Sequence, residues 1–173
     1  MIKNLTAEKC ISYLKKSGCS DDVIKHSKCV RDLAVIIAKK ANADIETVEL
    51  GALLHDIGRS KTHGIYHAIE GVKIAKEYGI PEKIIKIIER HIGAGISAEV
   101  AKKLGLPIKD YIPISLEEKI VCHADNLIDN CKRQKIECEI EKALNNNQKE
   151  YALKLVNLHN ELSKKCGIDL NKI

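Results

Sequence analysis

Apolar residues recur at three- and four-residue spacing along almost the whole chain, and no stretch alternates apolar and polar positions as a half-buried strand would. The pattern predicts a series of helices. Thr6 to Lys16 forms a short one stopped by Gly18, and Ser20 caps a longer one whose apolar stripe includes Val23, Val30, Leu33 and Ile37. Asp44 opens a third, which carries Val48, Ala52 and Leu53 up to the pair His55-Asp56. Ile65 to Tyr78 is closed by Gly79, and Pro81 stands as the first residue of a helix through Arg90. Gly93 and Gly95 end that run before a short segment, Ser97 to Leu104, and Gly105 and Pro107 mark a loop. Ser115-Leu116-Glu117-Glu118 reads as a capping box for the helix bearing Asp125, and two more helices follow around the turn Asn145-Asn146-Asn147. With no repeat and no linker, the expectation is one compact all-α domain over residues 1–173, with helices at about 137–166 packed on the rest.

Composition narrows the function. At 173 residues and 45% hydrophobic the chain can bury one sizeable core. Aromatic content is 3%, with no Trp and no Phe, so stacking platforms for single-stranded nucleic acid are not expected. The net charge of +5 rests on lysine, since only Arg31, Arg59, Arg90 and Arg133 are arginine. Such a surplus suits anionic small molecules and falls short of a nucleic-acid-binding signature. Seven cysteines without CxxC pairing read as small apolar fillers: Cys10, Cys19, Cys29, Cys122, Cys131, Cys138 and Cys166. The start, Met1-Ile2-Lys3-Asn4, has no secretory h-region, and no apolar run is long enough to span a membrane, so a cytoplasmic location is expected. Nothing in the pattern speaks to oligomeric state.

The most informative stretch is Gly51-Ala52-Leu53-Leu54-His55-Asp56-Ile57-Gly58-Arg59, which sets an imidazole beside a carboxylate where an apolar segment ends. His26, His67, His91 and Asp125 add ligand-type side chains on other helical segments. His26 shares a face with Val30, Leu33 and Ile37; Asp125 lies between Val121 and Ile128, where a buried charge costs several kcal/mol unless a cation neutralises it. Mixed imidazole and carboxylate suit Fe, Mn, Zn, Ni or Co better than Ca. His63 and His67, four apart, would share a face of the helix they open. His123 shares a helix with Asp125, and periodicity alone could make either of them the inward one. His159 reads as packed in or beside the core, and Asp129 as a solvated or capping carboxylate.

The order His26, then His55-Asp56 in LLHDIGR, then Asp125 in CHADNL resembles the HD superfamily of metal-dependent phosphohydrolases, in its HDIG branch. The resemblance runs from about Ser20 to Lys132. It implies that these four positions bind one divalent metal. It further implies that His67 in YHAIEG and His91 in ERHIGAG complete a six-residue site for two, with Asp56 bridging them. Such a set is similar to that of bacterial HD-type hydrolases of symmetrical dinucleoside polyphosphates, and uncharacterised archaeal HDIG proteins look closer still. The Gly-Tyr-Pro element and His-His pair of the HD-GYP phosphodiesterases are absent, so specialised cyclic-dinucleotide cleavage is disfavoured. Where the branch usually has Lys, this chain has Arg59, whose guanidinium can grip a phosphate with two parallel hydrogen bonds.

Read this way, the chain is a metal-dependent hydrolase of a phosphate ester or phosphoanhydride in a small nucleotide-like substrate. Asp56, Arg59 and His63 are the catalytic candidates, the last two facing the substrate. The alternatives are a di-iron oxygenase of the same fold and a module that binds metal and phosphate without turnover.

Overall fold

The computed structural model describes residues 5–173; the opening Met1 to Asn4, and with it the expectation of no leader, lies outside the described residues. Helix α1 (Ala7–Ser17) starts where the Thr6 hydroxyl accepts the Lys9 amide and stops at Gly18, whose φ of 89° permits the left-handed turn. Helix α2 (Asp21–Ala41) is capped by Ser20 and ends at Asn42. Asp44 caps α3 (Ile45–Leu54), which is buried on nearly every side and accordingly lacks a polar face. Gly51 on α3 lets Ile87 approach so closely that a Cβ there would overlap it.

A 3₁₀ turn, Ile57–Ser60, follows α3. Next come α4 (His67–Glu77), α5 (Glu82–Arg90), α6 (Ala98–Lys103) and α7 (Leu116–Asn126), with Ser97 and Ser115 capping the last two through their hydroxyls. Two C-terminal helices, α8 (Ile136–Asn145) and α9 (Lys149–Cys166), complete the nine α-helices among the described residues. The all-α class holds. The expected absence of strands needs one correction: Ile128–Asp129 (β1) pairs antiparallel with Lys132–Arg133 (β2), two residues each, too short to show alternation.

The apolar side chains gather in two main groups. Leu14 of α1, Leu50, Leu53 and Leu54 of α3, Ile74 of α4 and Ile84 and Ile88 of α5 form one. Ile37 of α2, Ile120 and Val121 of α7 and Leu155 and Leu162 of α9 form the other. Helix α3 lies against α1, α2, α5 and α7, and α9 packs on α2 and α7.

One cysteine expectation fails. Cys29 of α2 and Cys131 of the β1–β2 turn form a disulfide, 102 residues apart in sequence. Neither spacing nor periodicity signals so distant a pair. The other five cysteines are free.

Candidate metal centre

The site sits where α3 stops. Its last turn hands over to His55 in helical geometry and Asp56 at φ −100°, ψ 13°, after which the 3₁₀ turn packs on α4. Gly58 makes that packing close, since a Cβ there would overlap the His67 carbonyl and the Gly71 amide. The turn therefore brings the His55-Asp56 pair against the first residue of α4.

The histidines are oriented by a shared device. In His55, His67 and His91, Nδ1 lies 2.7–2.8 Å from the carbonyl three residues earlier, of Ala52, Gly64 and Ile88 respectively. A carbonyl only accepts, so each Nδ1 carries a proton and each ring turns its Nε2 inward, where it offers a lone pair to a cation whenever that nitrogen is unprotonated. Two of those nitrogens, on His67 and His91, face each other at 2.9 Å. Among the described residues, His55 Nε2 and Asp56 Oδ1 are buried without a hydrogen-bond partner. Opposed ring nitrogens and orphaned polar atoms are costly in a dry site and are what a cation would satisfy.

Asp56 divides the site in two. Its Oδ2 stands 3.6 Å from His55 Nε2 and 3.9 Å from His26 Nε2. Its Oδ1 stands 3.3 Å from His67 Nε2 and 3.5 Å from His91 Nε2. Asp125 Oδ1 completes the first half, 2.9 Å from His26 and 3.5 Å from His55. Donors held at about 2.1 Å around one ion in tetrahedral or octahedral array stand roughly 3.0–3.5 Å from one another, and these spacings are close to that. The donor set thus fits divalent metal, and both His26, His55, Asp125 and His55, Asp56, His91 gather tightly enough to ligate.

The electrostatics agree. Burial works against ionising Asp56, but His55, His91 and Arg59 outweigh it and hold its carboxyl well below the usual range. Asp125 is likewise held down, against burial, by His26 and His55. Burial lowers His55, yet the two carboxylates lift it to about 9. Burial and the neighbouring His91 take His67 down to about 4. The cluster wants both carboxylates charged and positive charge among them.

Beside the cage opens a polar pocket of about 580 Å³, lined in part by Lys25, His26, Asp56, Arg59 and His63. Arg59 Nε lies 2.6 Å from Asp56 Oδ2, and its NH1 reaches the His63 carbonyl at 3.4 Å. His63 itself is exposed in the bend before α4, not on that helix; the expected shared face with His67 is corrected, because the helix starts only at His67. Asp129 is exposed, bonds its neighbour Asn130 and lines the same pocket without reaching the cage histidines. His123 turns away from the cage: its Nε2 meets His159 Nδ1 at 3.1 Å, and His159 Nε2 meets Asp169 Oδ1 at 3.1 Å.

Two residues escaped the sequence reading. Lys25 lines the pocket beside His26, though an exposed lysine gives no sequence signal. Asn126 donates to the Gly93 carbonyl at 2.6 Å and, with Cys122 at 2.9 Å, ties the turn after His91 to α7. Arg90, paired with buried Glu118 at 2.9 Å, adds a second tie between α5 and α7.

Comparison with known proteins follows the same lines. The HD domain family model matches residues 23–129. A protein of Thermoplasma volcanium named tRNA (cytidine(56)-2'-O)-methyltransferase is 46% identical over 164 residues, covering 95% of this chain and 48% of that protein. This chain therefore spans about half the length of that relative. An uncharacterised protein of Methanocaldococcus jannaschii is 54% identical over 140 residues, covering 78% of this chain and 82% of that one. Among solved structures, the HD domain of the L. monocytogenes phosphodiesterase PgpH, in complex with cyclic-di-AMP, superposes with a TM-score of 0.56 at 16% identity, covering 87% of this chain and 92% of that one. That likeness is one of fold. Shared fold, matched family model and close relatives converge: the chain belongs to the HD domain family.

Proposed function

We propose that the chain is a metal-dependent phosphohydrolase acting on a phosphate ester or phosphoanhydride of a small nucleotide-like substrate. In this reading residues 1–173 act as one HD domain. The observation that carries it is the division of Asp56, one oxygen toward His26 and His55 and the other toward His67 and His91. His26, His55, Asp56 and Asp125 would hold one cation, and Asp56, His67 and His91 a second. A bound pair would supply Lewis acidity and bring the pKa of a water from about 15.7 toward neutrality, so that no side-chain nucleophile is needed.

The remaining work falls to the chain. Arg59, 30% exposed at its side chain, can turn from Asp56 to a phosphate oxygen and offer two parallel hydrogen bonds. Lys25 and His63 stand at the same mouth, where the lysine adds positive charge and the imidazole can give a proton to a leaving oxygen. Cyclic-di-AMP held by the similarly folded PgpH domain supports a nucleotide. The name of the Thermoplasma relative brings RNA as a second substrate class, to be decided in the same assay.

The test is turnover of p-nitrophenyl phosphate, nucleotides and a tRNA with Mn, Co or Ni, beside Asp56→Ala. Metal-dependent hydrolysis of a small substrate that vanishes in the variant is expected. Turnover no higher than the variant's on every substrate and metal sinks the hydrolase reading.

A further inference from the structure

A second cavity, of about 500 Å³, lies beside the cage, a size usual for small-molecule pockets. Ile65, Ile92 and Ile96 supply an apolar wall and Leu104 its rim. The α8–α9 turn adds polar lining: the exposed Asn147 and Gln148, whose side-chain amides have no hydrogen-bond partner among the described residues, followed by Lys149, Glu150 and Lys154.

Chain connectivity ties this cavity to the metal centre. Ile92 follows His91, and Ile65 is two residues from both His63 and His67, so at about 3.8 Å per residue the wall begins within ~8 Å of their backbones. Tyr151, another lining residue, closes the seam: its ring occupies the space a Cβ on Gly93 would take, two residues after His91. Its phenol is held above the ordinary value by burial first, and then by negative groups that include Asp125.

We propose that this cavity receives the nucleobase of the substrate, an assignment that rests on the hydrolase reading and supplies its specificity element. The chemistry selects the occupant. A hydrocarbon tail would cover the isoleucines but leave the amides and the charged Lys149, Glu150 and Lys154 of the same lining without a part in binding, and a sugar would set its hydroxyls against an apolar wall. A nucleobase has apolar faces for Ile65, Ile92 and Ile96 and a donor-acceptor edge for Asn147 and Gln148, whose amides offer both roles. The phosphate would then lie on the side of the cavity where Ile65 and Ile92 join the chain to the cage histidines.

The experiment is titration of the full chain, without added metal, with adenosine, guanosine, cytidine and uridine, followed by the methyl NMR signals of its isoleucines. Saturable shifts are expected at Ile65, Ile92 and Ile96 but not at Ile36, which lies on α2 outside the cavity. Leu104→Asp, at an exposed rim position, should weaken binding about tenfold or more by setting a charge beside the bases, and Gln148→Ala should weaken it without changing the fold. No shift with any nucleoside up to its solubility limit, or binding unchanged in both variants at wild-type melting temperature, overturns the assignment. Nucleoside binding without phosphoester turnover supports the cavity and defeats the hydrolase reading; turnover without nucleoside binding does the reverse.

Discussion

Asp56 and Arg59 compete for each other with the groups they are proposed to serve. The guanidinium lies 2.6 Å from the carboxylate oxygen that also faces His26 and His55. Arg59→Ala should therefore leave metal uptake intact or tighten it, while kcat/KM on a phosphoester falls by about one to two decades, matching the ~1.5–3 kcal/mol of a charge-assisted hydrogen bond. Lys at the same place should recover part of the loss, because the charge stays and the fork goes. Steady-state kinetics beside metal analysis checks this. An Ala variant that binds no metal or unfolds would reduce Arg59 to a structural partner of Asp56. Single residues were legible in the sequence to unequal degrees. His55 and Asp56 stand out because they end an apolar helix. The choice between His123 and Asp125 was not open to periodicity, since α7 buries residues on both sides, Ile120 to Ala124 and Asn126.

Helix α7 faces two polar systems. Asp125 looks into the cage, whereas His123 joins His159 and Asp169 in a chain toward the C-terminus. Asp169 can only accept, so His159 donates to it through Nε2 and accepts from His123 through Nδ1. Burial first, then the neighbouring His159 and the Arg133 guanidinium, bring His123 down to about 3. An unfolded histidine titrates near 6.5, so between those values the unfolded chain takes a proton that the folded one refuses. Stability from this group is complete above pH 6.5 and is lost progressively as the pH falls toward 3. The slope reaches at most ~1.4 kcal/mol per pH unit. Urea unfolding of the chain without added metal should show a shallower decline between pH 6.5 and 4.5 in His123→Gln than in wild type; parallel declines would contradict the assignment. Helices were largely legible because their caps were: Thr6, Ser20, Asp44, Ser97 and Ser115 each accept an amide of the first turn. The start of α4 was not, because Gly58 packs on the His67 carbonyl, a tertiary contact outside any local pattern.

Over the whole molecule, two apolar groups meet at α3, and the cage forms where that helix runs out between them. The ligand order could be read along the chain, but the pocket walls could not. Lys25, Asn126 and the α8–α9 turn reach the site or its support only through folding. The Cys29–Cys131 bond fastens α2, three residues past His26, to the β1–β2 turn that lines the polar pocket. All of this frames one claim, that the cage has two cation positions sharing Asp56. Elemental analysis after Mn loading and exhaustive dialysis tests it most directly, in wild type and in His67→Ala. The account predicts about two ions per wild-type chain and about one in the variant, with the fold retained. One ion per wild-type chain at saturating supply, unchanged in His67→Ala, would contradict it.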